Sequence, residues 1–98
     1  MASVTFSGAD GALFAYLVGE IDHHAAQALR EAIDTRLDRA APERLTLDFG
    51  GVTFMDSSGV GLILGRQKRM QALGGSLIVQ RPPAQIQKML QLARVSYL

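Results

Sequence analysis

Apolar residues recur along this chain first with the two-residue period of strands, then with the longer period of helices, and the two alternate to its end. Val4-Thr5-Phe6 and Ala12-Leu13-Phe14-Ala15-Tyr16-Leu17-Val18 are runs of β-favouring residues parted by Gly8, Asp10 and Gly11. Together they predict a hairpin. Gly19-Glu20-Ile21-Asp22 closes the second run, and the short carboxylate of Asp22 suits the N-cap of a helix. Ala25, Ala28, Leu29, Ala32, Ile33 and Leu37 then fall at helical spacing, with Arg30, Glu31, Asp34 and Asp38 on other faces. This is an amphipathic helix to about Arg39, expected to lie across a sheet.

Pro42 stops that helix, and Leu45, Leu47 and Phe49 point to one face of a short strand. Gly50-Gly51 is expected to break its ladder, with Phe54 and Met55 as buried anchors beyond it. From Ser58 to Leu73 the pattern is helical again, with Val60, Ile63, Leu64 and Met70 inward and Arg66, Lys68 and Arg69 largely outward. Gly74 suits a left-handed helix end. Leu77-Ile78-Val79 reads as a short apolar strand. Pro83 opens a third helix carrying Ile86, Met89, Leu90 and Ala93, and Val95 to Leu98 reads as the beginning of a further strand. The expectation is an α/β fold of order β-β-α-β-α-β-α, a mixed sheet packed by amphipathic helices through right-handed crossovers.

Composition narrows the picture. Ninety-eight residues, 48% hydrophobic and 19% charged, describe a single globular domain over 1–98. The absence of cysteine excludes disulfides and thiolate metal sites. No run is apolar enough to span a bilayer and no signal peptide is evident, so a cytoplasmic location without a membrane is expected. Net charge is only +1, yet all nine acidic residues lie at or before Asp56, and six basic residues follow it. The halves are expected to neutralise each other on folding. Direct nucleic-acid binding is disfavoured, because the basic residues are scattered and no aromatics interleave with them.

The chemistry concentrates in Phe54-Met55-Asp56-Ser57-Ser58-Gly59-Val60-Gly61, where strand gives way to helix. Serines there sit beside unpaired backbone N–H groups and the positive end of a helix dipole, as caps, nucleophiles or switches. Gly59, Gly61 and Gly65 each cost a helix roughly 0.5–1 kcal/mol relative to alanine, which implies close approach of the sheet or of a partner. Their spacing is one residue too long for a dinucleotide-binding turn, and no acidic residue follows Asp56 to hold a ribose. Gly65-Arg66 lacks the end of a P-loop. A hydrolase would need a base, but His23 and His24 are neighbours pointing apart, and neither serine lies in a Gly-x-Ser-x-Gly elbow. Two adjacent histidines are equally poor metal ligands.

Taken together, Gly19-Glu20-Ile21-Asp22-His23-His24, the Phe54 to Gly61 stretch, Gly65-Arg66 and Gly74-Gly75 resemble the STAS-domain anti-sigma factor antagonists of the sporulation type, from Val4 to Val95. The resemblance implies a partner switch. The unphosphorylated protein binds an anti-sigma factor that is also a serine kinase, and so releases the sigma factor. Phosphorylation of the first serine after the aspartate, here Ser57, ends that binding, and a phosphatase resets it. Asp22, Asp56, Ser58, Gly59 and Gly61 form the surroundings of the switch. The chain is then a phosphoacceptor, not an enzyme, with no cofactor. The alternative is a non-switching STAS subunit of a membrane-associated lipid transport complex, its serine merely a cap. Arg94-Val95 departs from the family, which often has glycine there, and the family's final strand and helix are missing from this sequence, leaving one sheet edge in question.

Overall fold

A computed structural model describes all residues from Met1 to Leu98. The chain forms β1 (Ala2–Ala9), β2 (Ala12–Ile21), α1 (His23–Ala40), β3 (Arg44–Met55), α2 (Ser57–Ala72), β4 (Ser76–Gln80) and α3 (Ala84–Leu92). This is the order expected from the sequence. Asp10 and Gly11 both take positive φ, 53° and 80°, making the two-residue turn whose twist suits a hairpin. α1 ends on a left-handed Ala41, whose N–H donates to the Leu37 carbonyl at 2.9 Å before Pro42 forbids another turn.

The strands lie in the order β1-β2-β3-β4, β1 antiparallel to β2 and the rest parallel. Each parallel crossover steps one strand in the same direction, so a common handedness puts the helices on one face. α1 accordingly packs on α2, and α2 on α3. Leu13, Ala15 and Leu17 of β2, Leu45, Leu47 and Phe49 of β3 and Val79 of β4 face Leu29, Ile33 and Leu37 of α1, Leu62, Ile63 and Met70 of α2, and Ile86 and Leu90 of α3. Burying each of the larger side chains contributes roughly 1.5–3 kcal/mol.

Four expectations are corrected. β3 does not end at Gly50-Gly51 but runs through to Met55, because β3 carries one extra residue between the Tyr16 and Val18 pairings with β2 and another between those of Gly19 and Glu20. Each bulge delays the alternation by one residue. Phe49, Val52 and Met55 therefore all turn inward, while Phe54 is half exposed and is no buried anchor. In α2 the buried stripe is Gly59, Leu62, Ile63, Arg66 and Met70. Leu64 faces solvent, and Arg66 lies inside. The tail after α3, where the sequence suggested the beginning of a further strand, makes one parallel rung beside β4 at Leu98: its N–H donates to Val79 O at 2.8 Å and its carbonyl accepts from Arg81 N at 3.0 Å.

Candidate functional site

The parallel register of β2 and β3 builds the site. Ile21 pairs with Met55, and Asp56 N donates to Ile21 O at 3.1 Å in the last rung. The next residue on β2 is Asp22, so it and Asp56 emerge side by side from adjacent strands, and each starts a helix. Their backbones are nearly the same, φ −98° and ψ −172° for Asp22, φ −95° and ψ −172° for Asp56. Asp22 Oδ1 accepts from Ala25 N at 2.9 Å, and Asp56 Oδ1 accepts from Ser58 N at 2.8 Å. Two capping carboxylates and two positive helix ends thus lie together at the C-terminal ends of the central strands. The Ala25 N–H holds the Asp22 carboxyl below the usual range against the opposing effect of burial, with His24 adding to it.

Ser57, the first residue of α2, is exposed. Because Asp56 supplies the cap, the Ser57 hydroxyl is left outside the capping arrangement. Ser58 is half-buried and turns into a groove of about 280 Å³ between α1 and α2, shared with His23, Gln27, Arg30 and Gly61. Gly59 is buried on Met55: a Cβ at this position would overlap the Met55 Cγ and Sδ, so the start of α2 sits directly on the last residue of β3. Of the two approaches the sequence left open for this glycine, by the sheet or by a partner, the structure shows the first. At Gly61 and Gly65 a Cβ would meet nothing within 4 Å, so close approach within this chain does not require those two glycines.

His23 and His24 stack edge to face at 5.9 Å between ring centres, and no group of three or more His, Cys, Asp or Glu is placed to hold a metal ion. Three arginines to which the sequence gave no role at the site lie in or beside the groove. Arg66 Nε lies 3.0 Å from Asp34 Oδ1 as an ion pair but off the line of a hydrogen bond, and its Nη1 is buried without a partner. Burial lowers the Arg66 pKa, and Asp34 opposes this. Arg69 adds a contact to Asp34 at 3.2 Å and another to Asp38. Arg30 is the third, in the groove itself. The signal for Arg66 was present, since Leu62, Arg66 and Met70 are four residues apart.

A sheet with all helices on one face, and a serine at the helix start beside a second capped helix, define the class. The chain belongs to the STAS-domain family, whose model matches residues 3–97. Among particular relatives, it is 36% identical over 77 residues to the anti-sigma F factor antagonist of Lysinibacillus sphaericus, an alignment covering 79% of this chain and 66% of that protein. The chain therefore spans just under two thirds of that relative's length. Among solved structures it resembles the anti-sigma factor antagonist SpoIIAA in its unphosphorylated form, with a TM-score of 0.84 and 30% identity over 98% of this chain and 88% of that one. The phosphorylated form of Bacillus SpoIIAA is similar too, with a TM-score of 0.77 and 30% identity, covering 98% and 91%. No helix is long and apolar enough to cross a membrane.

Proposed function

We propose that this protein is an anti-sigma factor antagonist, acting in the cytoplasm, whose capture of an anti-sigma factor is switched off by phosphorylation of Ser57. The single observation that carries the reading is the exposed Ser57 hydroxyl at the first position of α2, freed from capping by Asp56. The names of its relatives favour this over a lipid-transport role. Ser57 Oγ attacks the γ-phosphorus of ATP, the bond to the β-phosphate oxygen breaks, and ADP leaves. The serine proton passes to a base on the partner kinase, which also supplies Mg²⁺. This chain contributes the acceptor and its placement.

The phosphoserine brings roughly −1.5 to −2 charges at pH 7. The α2 N-terminus favours it by roughly 0.3–1 kcal/mol, while the carboxylates of Asp22 and Asp56 oppose it. Inside a partner interface the dianion is desolvated without a matching cation, and there the cost reaches several kcal/mol. A phosphatase reverses the state.

With the cognate kinase and ATP, the protein is expected to gain one phosphate, Ser58→Ala likewise, and Ser57→Ala none. Normal modification of Ser57→Ala overturns the assignment. Ser57→Asp is expected to weaken capture of the anti-sigma factor while Ser57→Ala preserves it, and equal capture by both removes the electrostatic mechanism.

A further inference from the structure

The outer edge of the sheet on the β1 side is unusually bare. β1 carries eight residues without a charge, a proline or a bulge, the usual devices that keep an edge from pairing. Its two-residue turn closes on a hydrogen-bonded pair, Ala9 with Ala12, so odd-numbered residues spend their backbone groups on β2. The bond from Glu20 N to Met1 O at 3.3 Å keeps the same parity at the far end. The N–H and C=O groups of Ala2, Val4, Phe6 and Gly8 therefore face outward as a ready ladder.

Beside this edge, on the helix side of the sheet, lies a groove of about 580 Å³ between β1 and the outer flank of α1. Phe6, Ala28 and Ala32 give it an apolar floor, Glu31 lies nearer the start of α1, and Arg36 and Arg39 lie nearer its end. The Arg36 guanidinium stacks over the Phe6 ring at 4.7 Å. Acid and base thus stand at opposite ends of one groove.

We propose that this face binds a second copy of the chain, β1 against β1 in antiparallel register about a two-fold axis at Thr5. That register pairs Val4 with Phe6 and Ala2 with Gly8 of the second copy, so all four outward ladder residues are satisfied reciprocally. It also lays the two α1 helices antiparallel on the same side of an eight-stranded sheet. Glu31 of each copy then meets the basic end of the other's groove, a self-complementary arrangement that a two-fold contact requires. Because the two sheets run in opposite directions, the two Ser57 corners point away from each other, and each remains open to its own partner. Such a dimer is independent of the phosphorylation reading and survives its failure.

The absence of native cysteine makes the test direct. Thr5 lies on the open face and, at the axis, faces its own copy as a non-hydrogen-bonded pair with Cα atoms about 4.5 Å apart, within disulfide range. Oxidised Thr5→Cys is expected to run as a cross-linked dimer in denaturing gels. Ser3→Cys alone stays single, but mixed with Ser7→Cys it cross-links, since those positions oppose each other. Light scattering is expected to give the mass of two chains for the natural sequence and of one for Thr5→Lys, with unchanged circular dichroism. Glu31→Arg weakens association about threefold, and adding Arg39→Glu restores it. A one-chain mass for the natural sequence at millimolar concentration overturns the proposal, as does cross-linking of Ser3→Cys alone in preference to Thr5→Cys.

Discussion

The starts of α1 and α2 are built on one plan and used differently. Both come directly after the end of a parallel strand, both are capped by aspartate, and their cap backbones differ by only a few degrees. The α1 cap reaches the third helical residue, Ala25, whereas the α2 cap reaches the second, Ser58. Three residues past the cap stands alanine in α1 and glycine in α2; Ala25 is half-buried, whereas Gly59 is buried with Met55 directly against it. A standard cap is enough to start a helix. The added contact between Gly59 and Met55 fixes where the first turn of α2, and with it Ser57, sits relative to the sheet.

The comparison breaks most sharply at Gly59. Gly59→Ala is expected to cost about 1–3 kcal/mol in chemical denaturation, because Met55 or the helix must move. Ala25→Gly at the matching place in α1 costs about 1 kcal/mol, through helix propensity alone. Next comes loss of the caps: Asp56→Ala is expected to destabilise by about 1 kcal/mol. The Asp22 cap is better tested by pH. Its folded pKa is lowered below an ordinary 3.8, so its contribution is complete above that value and is lost as pH falls from there through the folded pKa. Asp22→Asn should flatten that part of the acid denaturation curve. Smallest of all, Ser57→Ala should change stability by less than about 0.5 kcal/mol, since the exposed side chain supports nothing. A larger loss would mean that Ser57 is part of the cap after all.

The order of elements and the caps were legible because they rest on local chemistry: Asp10-Gly11 at the turn, Asp22 before a helical run, Gly74 after one. Gly50-Gly51 misled because glycines that end strands and glycines that let side chains cross them look alike in sequence. Here a Cβ on Gly50 would lie 2.6 Å from Arg81 Nη2, and one on Gly51 2.9 Å from Val18 Cγ2. Arg81 needs that space to grip the buried Asp48, Nε to Oδ2 at 2.9 Å and Nη2 to Oδ1 at 3.1 Å. Burial alone would raise the Asp48 pKa, but Arg81, the Gly50 N–H and Gln80 together bring it below normal. Such a cluster joins residues 33 apart, which no local pattern encodes. Phe54 went wrong for a simpler reason: Phe54 and Met55 are neighbours on one strand and point to opposite faces, so the alternation that two bulges carry from Phe49 through Val52 to Met55 leaves Phe54 outside. At the site, composition and spacing reduced the serines to cap, nucleophile or switch. The choice of Ser57 over Ser58 came from family resemblance, and its exposure is consistent with that choice.

The ion pairs beneath the corner bear on how far a displacement at the start of α2 can travel. Sliding α2 along α1 by one helical turn, about 5.4 Å, is one of the larger motions by which packed helices pass a change across a protein. Here such a slip would pull Arg66 from Asp34 and leave a guanidinium, already short of one partner, wholly uncompensated in the interior. Arg69, bridging Asp34 and Asp38, resists the same motion. The two helices are geared together like meshed teeth. A full-turn displacement of α2 along α1 is therefore opposed from within the helix pair itself, and the start of α2 keeps its place against the start of α1.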